Sequence, residues 1–134
     1  MGRQSLMRLL LDTHALLWWA NNDPQLSSVA RAQIQHARNH ILVSSASVWE
    51  IAVKYRNGRL PSAHKFVAEV PEYLRVQNFE ALPITVEHAL RAGLLPGPHR
   101  DPFDRMLIAQ ALQENLALIS NDQALDGYGA QRVW

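Results

Sequence analysis

The chain has 134 residues, a net charge of +1 and no cysteine. That length suits about one domain, and the missing thiols exclude a disulfide framework, a thiolate metal site and a cysteine nucleophile. The near-neutral charge excludes a globally polybasic surface, though not a local basic patch, and no run approaches the ~20 apolar residues of a membrane span.

The opening "MGRQSLMRLLLDTHALLWWA" has an apolar run interrupted by Asp12 and His14 and no small-residue cleavage site, which argues against a signal peptide, while the absence of cysteine suits a reducing cytoplasm. Within it "LMRLLLD" (residues 6–12) reads as a strand buried on both faces. "THALLWWANNDP" reads as a short helix stopped by Asn21, Asn22 and Asp23-Pro24. "SSVARAQIQHARN" is a serine-capped amphipathic helix. "HILVSS" (40–45) is a second strand, and "SVWEIAVKYRNG" (47–58) a helix that opens on a serine and stops at Gly58. "PSAHKFVAEV" and "PEYLRVQN" form helix interrupted at Pro71. "FEALPIT" (79–85) is a third strand, with Pro83 marking an edge or a strand end. "TVEHALRAG" is a helix capped by Thr85 and stopped by Gly93, and "LLPGPHR" is a loop. "DPFDRMLIAQALQEN" is a strong helix, "LALIS" (116–120) a fourth strand and "GAQRVW" a fifth. No repeat, low-complexity tract or linker divides residues 1–134, so they read as one domain. Alternating strands and helices imply a three-layer α/β/α sandwich around a mostly parallel sheet. Such sheets bind ligands beyond the carboxyl ends of their strands.

Acidic residues collect at those ends. Asp12 closes the first strand, Glu50 lies one helical turn after the second, Asp122 follows the fourth, and Asp101 and Asp104 open the helix leading into it. Carboxylates without thiols suit a hard divalent cation, Mg²⁺ or Mn²⁺, which also relieves their mutual repulsion. Each acid has a structural alternative. Ser47-x-x-Glu50 fits a capping box. Asp101 before Pro102 fits an N-cap, and Asp104 fits a first-turn charge at the positive helix end. Asp122 fits the cap of a short helix. Asp12 is the hardest to explain by structure alone. His14, or His99 with Arg100, would suit a phosphate contact, and a solvated or structural position equally well. Trp18, Trp19 and Trp49 read as core or protein-interface residues.

"LLLDTHALLWW", "VSSASVWEIAVKYRNGRL" and "DPFDRMLIAQALQENLALISND" together resemble three blocks of the PIN-domain family, most of all the VapC-type toxins of bacterial toxin–antitoxin pairs. The resemblance runs along almost the whole chain in the family's order. It implies a metal-dependent endoribonuclease whose four acids, here Asp12, Glu50, Asp104 and Asp122, surround Mg²⁺ or Mn²⁺. Asp101 falls outside that quartet. Thr13 and Ser45 fall at polar positions that support the site in relatives. The resemblance also implies a homodimer and a small cognate antitoxin, through which alone the protein would meet DNA. It further implies a structured RNA substrate, of the tRNA or rRNA class, cut to 5′-phosphate and 3′-hydroxyl ends.

A coordinated water of lowered pKa would attack the phosphodiester in line, with the metal offsetting charge in the transition state. Arg105, Lys54, Arg56 and Arg59 would bind the RNA backbone, or serve as surface charges. A signalling receiver domain, also acidic and Mg²⁺-binding, needs an Asp ending a middle strand and a late lysine. "HILVSS" and "FEALPIT" end without Asp, and no lysine follows Lys65. The other alternative is a non-catalytic RNA- or protein-binding scaffold of the same fold.

Overall fold

The computed structural model describes residues 6–134; the first five residues of the opening segment lie outside this range. Five strands form one parallel sheet in the order β3-β2-β1-β4-β5: β1 Arg8–Leu11, β2 His40–Ser44, β3 Glu80–Leu82, β4 Ala117–Ile119 and β5 Arg132–Val133. β3 is an edge strand that stops before Pro83, so proline marks both the edge and the end.

Side chains alternate across the sheet. Leu9, Leu11, Ile41, Val43, Ala117 and Ile119 face one way. They pack under helices α1 (Thr13–Ala20), α2 (Ser28–Gln35), α3 (Ser45–Arg56), α4 (His64–Ala68) and α5 (Val70–Gln77). Leu10, Leu42, Leu82 and Leu118 face the other way. They meet Leu107, Ile108 and Ala111 of α7 (Pro102–Glu114), on which α6 (Val86–Leu94) packs. Right-handed crossovers explain this division. From β1 to β3 the chain moves one way along the sheet with its helices on one face. From β3 it returns past β1 to β4 and β5, and its helices must then take the opposite face. The reversal lies between β1 and β4, where an open α/β sheet forms its ligand crevice.

Helix ends follow their caps. Ser27 receives the Ala30 N–H at 3.0 Å, Thr85 receives the His88 N–H at 3.1 Å, and Asp101 receives those of Phe103 and Asp104. Three expectations need correction. α2 ends at Gln35, short of the "HARN" segment. α6 continues through Gly93 to Leu94, because no residue there turns into the left-handed region. α3 begins at Ser45, two residues early, because Ser44 is the residue that caps it, accepting the Ala46 N–H at 2.9 Å. Ser47 therefore sits inside the helix, which removes the capping-box explanation of Glu50.

Candidate active site

Asp12 stands at the end of β1, where the chain leaves the sheet and turns into α1. Its carboxylate caps that helix, receiving the Ala15 N–H at 2.7 Å, so it has a structural task that its strand-end position did not suggest. It is buried, and burial raises its pKa above the ordinary carboxylate range. Hydrogen bonds from Ser120 and Ala15 and the nearby His14 oppose that rise, while the charge of Asp122 adds to it. The Ser120 hydroxyl links two acids: it donates to Asp12 and accepts the Asp122 N–H at 3.1 Å.

Asp104 enters from the first turn of α7. Burial pushes its pKa up to about 6, helped by the charges of Asp101, Glu50 and Asp12 and opposed by His99. Asp122, at the end of the β4 segment, caps a 3₁₀ turn (Gln123–Tyr128) through the Ala124 N–H at 3.0 Å. Asp104 and Asp122 converge with His99: one ligand atom from each lies within 4.8 Å of the others, a grouping of three that includes neither Asp12 nor Glu50.

Glu50 stands back from that trio. The Thr13 hydroxyl donates to its Oε1 at 2.6 Å, and the Lys54 ammonium meets its Oε2 at 2.6 Å. Ser47 Oγ lies 3.2 Å from the Thr13 hydroxyl, so a buried Ser47–Thr13–Glu50 chain joins α1 to α3. Ser47, read in the sequence as half of a capping box, thus belongs to the hydrogen-bond chain that ends on Glu50. Ser45, expected in that role, is exposed at the first position of α3 without a side-chain hydrogen bond among the described residues.

The expected RNA contacts divide. Arg105 is engaged by main-chain carbonyls. Its guanidinium donates to the carbonyls of Ala92 at 3.3 Å, His99 at 3.0 Å and Leu95, tying the loop before α7 to α6. Five fixed N–H donors make arginine good at this, and they leave it a structural residue here. Lys54 is engaged by Glu50. Arg56 and Arg59 are exposed. Among the tryptophans, Trp18 and Trp19 pack against the core, while Trp49 is exposed with its ring against Phe103 at 5.2 Å. His14 stacks on Trp18 at 5.5 Å. A surface cavity of about 620 Å³ lies against α6 and Tyr128; its lining includes none of the four acids.

The sheet order, the acids beyond β1 and β4, and the α7 carboxylate all accord with one family, whose sequence profile, described as PIN domain, matches residues 9–130. The chain belongs to the PIN-domain family. The PIN-domain match takes in Asp12, Glu50, Asp104 and Asp122 by position. Ribonuclease VapC22 of Mycobacterium tuberculosis is 28% identical over 130 residues, covering 94% of this chain and 98% of VapC22. Ribonuclease VapC16 of the same organism is 44% identical over 59 residues, 44% of this chain and 40% of VapC16, so that match spans less than half of the relative. The crystal structure of VapBC2 from Rickettsia felis, bound to a DNA fragment from its promoter, aligns with a TM-score of 0.72 at 16% identity. That alignment covers 94% of this chain and 97% of the other, and shows likeness of fold. No helix among the described residues is long and apolar enough to cross a membrane.

Proposed function

We propose that residues 1–134 form a single divalent-metal-dependent endoribonuclease domain, the toxin of a VapBC-type pair. The observation that carries this reading is the placement of Asp12, Asp104 and Asp122 at the crevice between β1 and β4. Two of these acids have raised pKa values, to which the neighbouring acids contribute. Partly buried, mutually repelling oxygen donors fit Mg²⁺ or Mn²⁺, which prefer oxygen ligands. Asp12, Asp104 and Asp122 would hold the ion, with Glu50 presented alongside by Thr13 and Lys54. When bound, the ion supplies a water activated at neutral pH and offsets charge on the phosphoryl oxygens. The protein's own part is to hold these carboxylates in place: the Ala15 N–H and Ser120 hydroxyl orient Asp12, and the α7 backbone orients Asp104.

The ribonuclease names of VapC22 and VapC16 support RNA as substrate, and we take structured RNA of the tRNA or rRNA class as the target. The likeness to a VapBC complex supports a small antitoxin partner; to this reading we add contact with DNA only through that partner, a homodimeric toxin and a cytoplasmic location. The test is incubation of the purified protein with total cellular RNA in Mn²⁺, Mg²⁺ or EDTA, followed by mapping of the cut ends. The expected result is metal-dependent cleavage to 5′-phosphate and 3′-hydroxyl ends, abolished in Asp12→Asn. A folded wild-type protein that cuts no RNA at any concentration of either metal would leave the non-catalytic scaffold.

A further inference from the structure

The loop before α7 sets one imidazole against the acidic edge. His99 Nε2 lies 3.1 Å from Asp104 Oδ2 and 3.7 Å from Asp122 Oδ2. The other ring nitrogen, Nδ1, accepts the Asp101 N–H at 3.3 Å. A nitrogen that accepts a hydrogen bond carries no proton, so the ring proton sits on Nε2, on the edge of the ring nearest the carboxylates. The ring thus meets Asp104 as an electrostatic partner in ion-pair range rather than as a ligand, since ligation needs the Nε2 lone pair.

The main chain of His99 is held on both sides. Its N–H donates to the Tyr128 hydroxyl at 2.7 Å, and its carbonyl receives the Arg105 guanidinium at 3.0 Å. Tyr128 can approach only because residue 97 is glycine. A Cβ there would stand 2.5 Å from ring atom Cε1 of Tyr128, and φ is +117°. A solvated loop histidine needs none of these restraints.

We propose that His99 is a positioning residue of the acidic site. Its Nε2 edge, in ion-pair range of both carboxylates, draws Asp104 and Asp122 together electrostatically, so that they converge on one ion. The inference rests on the metal-site reading above and adds a residue outside the four acids. Hydrogen-bonding partners behind metal ligands typically contribute 10–100-fold to metal affinity or activity.

Calorimetric titration of Mn²⁺ into the full chain, without RNA, tests the proposal. His99→Ala should weaken Mn²⁺ binding about 10–100-fold, while His99→Gln, whose amide N–H keeps a polar edge toward the carboxylates, should recover most of the affinity. If His99→Ala fails to fold, Tyr128→Phe removes the acceptor of the His99 N–H and should produce a smaller loss. Wild-type affinity in His99→Ala, or in Tyr128→Phe where that is the variant that folds, overturns the proposal. So does a ring-nitrogen coupling in the electron paramagnetic resonance of Mn²⁺-loaded wild type, because it would make His99 a ligand. Wild-type protein that binds Mn²⁺ and cuts no RNA would sink the nuclease reading and leave the His99 result standing; protein that takes up no Mn²⁺ overturns both.

Discussion

Asp101 and Asp104 stand three residues apart in one helical turn, and their bonding separates their tasks. Asp101 receives two backbone N–H groups at the start of α7. Asp101→Ala should therefore cost about 0.5–2 kcal/mol of stability in a denaturant melt and leave Mn²⁺ binding largely intact. Asp104 is the opposite case, because its folded-state pKa, about 6, lies above the ordinary carboxylate value. The metal-free fold then holds a proton that the unfolded chain has released, so stability falls as pH rises from about 4 through about 6, and the full cost remains at neutral pH. After discounting for partial solvent exposure, that cost is on the order of 1–2 kcal/mol. Asp104→Asn should remove it: the metal-free variant should be as stable as wild type or more so at pH 7, with a flatter stability profile between about pH 4 and 6. A metal-free Asp104→Asn protein less stable than wild type at pH 7 would mean that Asp104 serves the fold. Asp101 was legible because Asp-Pro before an apolar run has a local cause. The contacts of His99 and Arg105 were not, since they depend on Tyr128 and on carbonyls of a loop whose path no local pattern records.

At the scale of elements, caps decided what could be read. The starts of α6 and α7 carry a single good cap each, Thr85 and Asp101, and both were placed from the sequence. The start of α3 lies in "VSSASVWE", where Ser44, Ser45 and Ser47 compete, and one-dimensional spacing cannot rank them. The sheet does so: β2 holds Ser44 in extended geometry, fully buried, as the cap, leaving Ser45 outward and Ser47 inward against Thr13. Ser44→Ala should then cost about 0.5–2 kcal/mol, while Ser45→Ala should lie within about ±0.5 kcal/mol of wild type. Thermal melts of the two variants check this, and equal losses would return the α3 start to ambiguity.

At the scale of the whole molecule, the α/β/α sandwich was legible because buried parallel strands read as short apolar runs between amphipathic helices. The meeting of the acids was legible only as an expectation, because sequence does not give strand order. The order β3-β2-β1-β4-β5 sets the β1 and β4 ends side by side, and with them Asp12 and Asp122. Such a crevice concentrates negative charge that the rest of the fold must hold against repulsion, so a cation bound there should stabilise the entire domain. A ligand that binds only the folded state adds about 2.7 kcal/mol at 100 times its Kd. For a domain of this length, about 3–5 °C per kcal/mol makes that roughly 10 °C in Tm. Mn²⁺ should therefore raise the Tm of wild type at pH 7, and EDTA should reverse the change. The shift should shrink as pH falls through about 6, where protons compete for Asp104. Asp104→Asn should show little of it, and His99→Ala an intermediate shift. Differential scanning calorimetry at several pH values reads all of these together. A shift that is undiminished in Asp104→Asn, or that grows toward acid pH, would place the cation elsewhere on the molecule.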